Sequence, residues 1–482
     1  MIAAYCWPQS AGPGEIISVF CHTTANRFRF EVVRQGVDSK TVAVHERIPG
    51  REQTVTGDIA AEGCRWDPTL ELAIDASWPS GFYLVRLEDN KGNKAEAFFV
   101  VRPESPVDAL LVLSTSTWNA YNTWGGQSFY TGGHVTSPMR PLQPGFLTKA
   151  DPYRHRIARY KDWRKEDARS YAAAGYDVWS MAAGWANWEM LFVRWAEGQG
   201  YNLGYAVSQD LDQYPGLLDG YPAYISVGHD EYWSAGMRNT VENYIDAGGN
   251  AAFFSGNTSF WQVRFSDDCR KMTGYKCDIE DDPHYDPKHA PTLSTMWSDP
   301  LVGRPESEMT GVSFTRGGYA HMPNAPQGSG GYTVWQPDHW VFDATFLKAG
   351  DTLGANEIVV GYECDGCDLT ESNGRPIPAG DDAPAGFEVL ATAPARLWET
   401  EQALGGLADN YVGELNWVAE RIGGGDTPEN RRRFADGHAV LGTFKRGKGT
   451  VFTTGCTDWA YGLIGSDVST VTANVLDRFI RN

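Results

Sequence analysis

The apolar pattern of the chain changes character once, at Pro103 and Pro106, and this change constrains the fold more than any other feature. Before it, short apolar runs are separated by turn residues: Ile16 to His22, Arg27 to Val33, Lys40 to Val44, Leu70 to Ile74, Gly81 to Glu88 and Ala95 to Val101. Period-two alternation is visible in Phe82, Leu84, Val85 and Leu87, and where Phe28 and Phe30 alternate with Arg27 and Arg29; that period belongs to strands. Regular spacing of such runs predicts an immunoglobulin-like β-sandwich over residues 1–104. After the prolines, Ala109 to Leu113 is continuously aliphatic, as a strand buried on both faces must be. Strands are then expected over Tyr201 to Val207, Ala223 to Val227 and Ala251 to Ser255, with helices over Trp188 to Gln199 and Ser234 to Ala247 between them. Strand alternating with helix predicts an α/β domain over residues 105–482 with a mostly parallel, doubly wound sheet. Later strands are expected at Ile358 to Tyr362, Phe387 to Ala391, Ala439 to Phe444 and Thr450 to Thr454, before a closing helix over Val471 to Ile480. The stretch from about 124 to 186 fits no such unit, and its Gly, Pro, Arg and aromatic content predicts a long insertion covering a site.

Composition narrows the function. At 482 residues the chain exceeds what one hydrophobic core holds. No run approaches the length of a membrane helix, and Met1 opens no basic-then-apolar leader, so a soluble, cytoplasmic protein is expected. A formal net charge of −20 argues against nucleic acid and anionic membrane as partners. Eight scattered cysteines suit reduced thiols. The Cys364/Cys367 step lacks the second ligand pair that a structural zinc needs.

Ligands of open parallel sheets bind beyond the carboxyl ends of the strands. Three predicted strands end in polar residues: Thr117 to Thr123 after the first, Gly228-His229-Asp230-Glu231-Tyr232-Trp233 after the third, Gly256-Asn257 after the fourth. Gly228 permits an abrupt bend that holds His229 and Glu231 at the mouth of the site, where imidazole and carboxylate suit metal binding or base catalysis.

These residues carry a resemblance. The block Thr117-Trp118-Asn119-Ala120-Tyr121-Asn122-Thr123-Trp124-Gly125-Gly126, the Gly228 to Ser234 turn, Gly256-Asn257 with Trp261 and Arg264, Gly361-Tyr362-Glu363, and Gly449-Thr450-Val451-Phe452 with Asp458-Trp459 together resemble the carboxy-terminal domain of the N,N-dimethylformamidase large (beta) subunit family. The resemblance spans about Val107 to Asn482. It implies a class I glutamine amidotransferase-like fold and one mononuclear iron, Fe3+, bound by two tyrosines and a glutamate. Residue by residue the ligands become Tyr121, Tyr130 and Glu231, with His229, Asn257 and Glu363 beside them as catalytic groups. Tyr153 and Tyr160 stand as alternatives to Tyr130. The chain is shorter than the family's large subunit, its insertion with Trp163, Trp179, Trp185 and Trp188 differs, and no small subunit accompanies it.

Phenolate and carboxylate oxygens are hard anionic donors that suit trivalent iron better than zinc, and three protein ligands leave positions open. The implied activity is hydrolysis of a small-molecule amide: metal-activated water attacks the carbonyl, Asn257 and His229 donate to the oxyanion, and Glu363 handles a proton. The alternatives are a carbohydrate-active or carbohydrate-binding protein using a Trp-rich cleft with Glu231 and Glu363 as paired carboxylates, and a non-catalytic binding protein. Asp281, His284, Asp286 and His289 read as a solvated loop rather than a second metal site; Lys276 reads as a surface lysine, with reach into the site from the loop after the fourth strand as the alternative. Oligomeric state stays open, a homo-oligomer included. A chain beginning near Ser105 is expected to keep any metal site.

Overall fold

The computed structural model describes residues 1–159, 171–322, 325–380, 383–399 and 414–481. Strands β1 (Ile2–Trp7), β2 (Ser10–Ala11), β3 (Ile16–Thr23), β4 (Arg27–Gln35), β5 (Ser39–Pro49), β6 (Leu70–Ala73), β7 (Gly81–Asp89) and β8 (Lys94–Val101) form two sheets, ordered β1-β3-β6 and β2-β8-β7-β4-β5. Successive side chains of a strand face opposite sides, and β7 and β8 use both. Tyr83, Val85, Phe99 and Val101 enter the core between these two sheets. Phe82, Leu84, Phe98 and Val100 enter a different core, shared with Trp118, Trp185 and the strands that follow. Phe82 stacks on Trp185 at 4.0 Å between ring centroids, and the Trp185 indole donates to Gln35 Oε1 at 2.6 Å. One core thus lies wholly before the step at Pro103, while the other runs across it.

Among the described residues the large sheet has eleven strands. Its main path uses β9 (Ala109–Leu113), β10 (Leu203–Val207), β11 (Ala223–His229), β12 (Asn250–Gly256), β13 (Ser313–Tyr319), β14 (Glu363–Gly366), β15 (Glu388–Arg396), β16 (Asp436–Arg446) and β17 (Gly449–Thr453), in the order β10-β9-β11-β12-β17-β16-β15-β13-β14. Two short strands, Tyr332–Val334 and Thr352–Leu353, pair beside β15. Neighbours are parallel from β10 to β17 and antiparallel from β17 to β14. The sheet is therefore mixed, and the expected parallel arrangement describes only its first half. The expected strand at Ile358 to Tyr362 is a turn with Ile358 at φ +56°; the strand begins at Glu363, where the chain first pairs with β13.

Gly228, near the end of β11, sits at φ +80°, and a Cβ there would lie 2.6 Å from Trp188 Cβ. Gly228→Ala is expected to combine left-handed strain with overpacking and to destabilise by about 3 kcal/mol. A clear fall in the urea midpoint would show this; an unchanged midpoint would show that Trp188 moves aside freely.

Candidate active site

The ends of β9, β11 and β12 deliver the site residues of the parallel half. β9 runs into a buried helix, Thr115–Tyr121, that presents Tyr121 at its last turn. The Thr117 hydroxyl of that helix accepts the Glu231 N–H at 3.0 Å and so ties the turn after β11 to the end of β9. Tyr130 follows in the next turn, where its N–H donates to Ser128 Oγ at 3.1 Å.

Both phenols converge on one carboxylate. Tyr121 Oη donates to Glu231 Oε2 at 2.9 Å, and Tyr130 Oη lies 2.8 and 3.0 Å from Glu231 Oε1 and Oε2. The two rings stack at 4.1 Å between centroids. Tyr232 Oη donates to Tyr130 Oη at 2.9 Å. All three acidic groups are buried: burial, then the neighbouring Glu231 charge, hold Tyr121 and Tyr130 well above the ordinary phenol range, and burial raises Glu231 against the opposing pull of His229.

A second chain of contacts stands behind Glu231. His229 Nδ1 meets the Ala182 carbonyl at 2.7 Å, while Nε2 faces Glu363 Oε2 at 2.6 Å and Glu231 Oε2 at 3.3 Å. Burial works to lower the His229 pKa, yet the Glu363 and Glu231 carboxylates together hold it at about 9. Nδ1 makes the one hydrogen bond of the ring, to the Ala182 carbonyl, while Nε2 stands at ion-pair distance from both carboxylates, as a protonated imidazole would. Asn257 Nδ2 donates to the same Glu363 Oε2 at 3.1 Å. The two expected oxyanion donors are thus both turned onto Glu363, because a buried carboxylate outcompetes a neutral group for their protons.

Tyr121, Tyr130, Glu231 and Glu363 face a cavity of about 50 Å³. That is room for about four waters, hence for a molecule of few heavy atoms. Ile157, Val178, Trp179 and Met181, from the stretch between 124 and 186, supply its apolar wall. Several contributors escaped the sequence reading. Tyr319, Trp398 and Glu414 come from the antiparallel half or from beyond it; nothing in their local sequence marks them. Burial raises Glu414 to about 8, and its Oε2 has no hydrogen-bond partner among the described residues. Lys276 turns inward at φ +58° and lays its ammonium 3.6 Å from the Tyr130 ring centroid; it is a half-buried neighbour of the site, not a surface residue.

Other candidates lie elsewhere. Tyr153 packs edge-on against Tyr461 at 5.7 Å, while Tyr160 and Trp163 lie outside the described residues. His289 pairs with Asp286 at 2.5 Å, His284 meets Thr292, and Asp282 holds Arg264 through two contacts of 2.7 and 2.8 Å. Cys364 and Cys367 are both buried.

Among the described residues no three His, Cys, Asp or Glu side chains are grouped to hold a metal ion. A metal in this cavity therefore depends on phenol oxygens. Two of them already converge on a carboxylate in a buried setting, a donor set of hard oxygens that fits a trivalent cation. Such an ion would also supply the positive charge needed to ionise phenols that burial keeps protonated.

A family model described as N,N-dimethylformamidase beta subunit-like, C-terminal, matches residues 25–471. The N,N-dimethylformamidase beta subunit of Paracoccus aminophilus is 21% identical over 223 residues, covering 42% of this chain and 28% of that protein. The beta subunit from Alcaligenes sp is 23% identical over 221 residues with the same coverage. The chain thus matches well under a third of the length of these relatives. A solved superoxide reductase from Ignicoccus hospitalis aligns over 21% of this chain and 80% of its own at 13% identity, but a TM-score of 0.15 carries no argument.

Proposed function

The chain belongs to the N,N-dimethylformamidase beta subunit-like, C-terminal family, and from that premise we propose that it is a mononuclear-iron-dependent hydrolase of small non-peptide amides. The observation that carries this reading is the convergence of Tyr121 and Tyr130 on Glu231 inside a small, largely apolar cavity. Tyr121, Tyr130 and Glu231 would hold the ion. When bound, ferric iron supplies Lewis acidity that polarises an amide carbonyl and acidifies water.

The chain's own residues do the rest. The wall of Ile157, Val178 and Met181 takes the apolar part of a small amide and excludes bulk water, which strengthens every polar contact inside. Glu363 is the proton carrier. Its Oε2 is occupied by His229 Nε2 and Asn257 Nδ2, which leaves Oε1 to receive or give a proton at the reacting centre. His229, fixed by the Ala182 carbonyl, and Asn257 hold that carboxylate in place.

The same premise supports a class I glutamine amidotransferase-like topology for the parallel half β10-β9-β11-β12-β17 and an immunoglobulin-like sandwich for the two sheets of residues 1–104. It also supports association with a further subunit, since the matched relatives are named as beta subunits. Among the described residues no helix is long and apolar enough to cross a membrane.

The test is amine release from a series of formamides and acetamides of increasing N-alkyl size. Turnover should be confined to the smallest members. His229→Ala and Asn257→Ala are expected to lower kcat/KM by about 10²-fold while iron per chain stays at the wild-type value. Iron falling to background in either variant would make that residue a ligand. Turnover limited to sugars, or absent with every amide, would end the reading.

A further inference from the structure

Glu363 reaches the site from β14, at the far antiparallel edge of the large sheet, while Glu231 and the tyrosines come from its parallel half. Something must register the two halves. Two residues along β14 from Glu363, on the same side of the strand, is Asp365. Its carboxylate reaches the turn after β12: Oδ1 accepts the Asn257 N–H at 2.9 Å and Oδ2 the Thr258 N–H at 3.1 Å.

That turn is one a non-glycine residue adopts only under constraint. Asn257 has φ +48°, in the left-handed region. Asp365 and Asn257 are 1% and 2% exposed, so neither N–H would find water if the carboxylate were removed. Gly256 fixes the turn from behind, since a Cβ there would lie 2.5 Å from the Thr457 nitrogen. Burial pushes the Asp365 carboxyl up to about 8, against the opposing pull of the Thr258 and Asn257 N–H groups that it accepts. The β14 backbone is itself anchored at this point, with the Asp365 N–H donating to the Gly455 carbonyl at 3.0 Å.

We propose that Asp365 is a positioning residue: by clamping the turn after β12 onto β14 it sets Asn257 against Glu363, and with it the place of Glu363 relative to Glu231. The inference rests on the role given to Glu363 above.

The experiment is a double-mutant cycle in the iron-loaded full chain, combining Asp365→Ala with Glu363→Gln, read as kcat and KM for the best amide substrate. Asp365→Ala alone should lower kcat about 10-fold with KM within about 3-fold. In the Glu363→Gln background the same change should cost less than about 2-fold, because the group it positions no longer acts. Equal losses in both backgrounds would reduce Asp365 to a generally structural residue and overturn the proposal. A normal rate in Glu363→Gln alone would instead sink the role of Glu363. Should Asp365→Ala not fold, Asp365→Asn, which keeps the volume but only one acceptor, takes its place. A crystal structure of the variant gives a readout independent of turnover. Asn257 is expected to leave the left-handed region and its amide to part from Glu363; an unchanged turn would contradict the clamp.

Discussion

Replacing Glu231 by Ala is expected to empty the site of metal and to reduce amide turnover by more than about 10³-fold. Glu231 is the one carboxylate on which both phenols converge, through contacts of 2.8, 2.9 and 3.0 Å. Its loss removes an anionic donor and leaves two buried hydroxyls without their acceptor, at a cost of about 1–3 kcal/mol each. Tyr121→Phe deletes a donor oxygen but keeps the ring that stacks on Tyr130, so its iron should fall while its fold persists. Tyr130→Phe separates the ligand role from the packing role in the same way, and it also deprives Tyr232 of its acceptor. Iron per chain by plasma emission, with circular dichroism as the folding control, checks all three.

The second large effect concerns residues 1–104. A chain that begins at Ser105 is expected not to fold cooperatively, contrary to what the pattern change at Pro103 suggests. Phe82, Leu84, Phe98 and Val100 are each at most 5% exposed within the core that also holds Trp118 and Trp185. Burying four such side chains contributes about 6–10 kcal/mol, comparable to the whole stability of a typical domain. Polar contacts cross the same boundary: Arg34 pairs with Glu197 at 2.7 Å, and Ser10 Oγ donates to Asp210 at 2.6 Å. The family match, over residues 25–471, runs across the same boundary. A loss of sharp urea unfolding in the shortened chain is the expected result. A cooperative transition with full metal content would restore the auxiliary role for the amino-terminal sheets.

What the sequence revealed of the site followed from one topological rule. Strand ends of a parallel sheet lie together, so Tyr121, Glu231 and Asn257 could be grouped from the runs that precede them. The rule is silent about the antiparallel half. Glu363 was reached through resemblance, and Glu414, Tyr319 and Trp398 were not reached at all, since no periodicity links them to strand ends more than 60 residues away. Lys276 was misplaced because an exposed and an inward lysine look alike until φ turns positive. Tyr232 was passed over beside Glu231, although its hydroxyl reaches Tyr130. The core that crosses Pro103 is not legible because alternation shows that a strand has two faces, not that both are covered; β7 and β8 bury both.

The most direct test of the account is the metal content of the purified wild-type chain together with its visible spectrum. The account predicts close to one iron per chain and a visible absorption band of phenolate bound to ferric iron, lost in Tyr121→Phe and Glu231→Ala. Protein that carries no iron after expression and reconstitution with ferric or ferrous salt, or iron that persists unchanged in both variants, would contradict it.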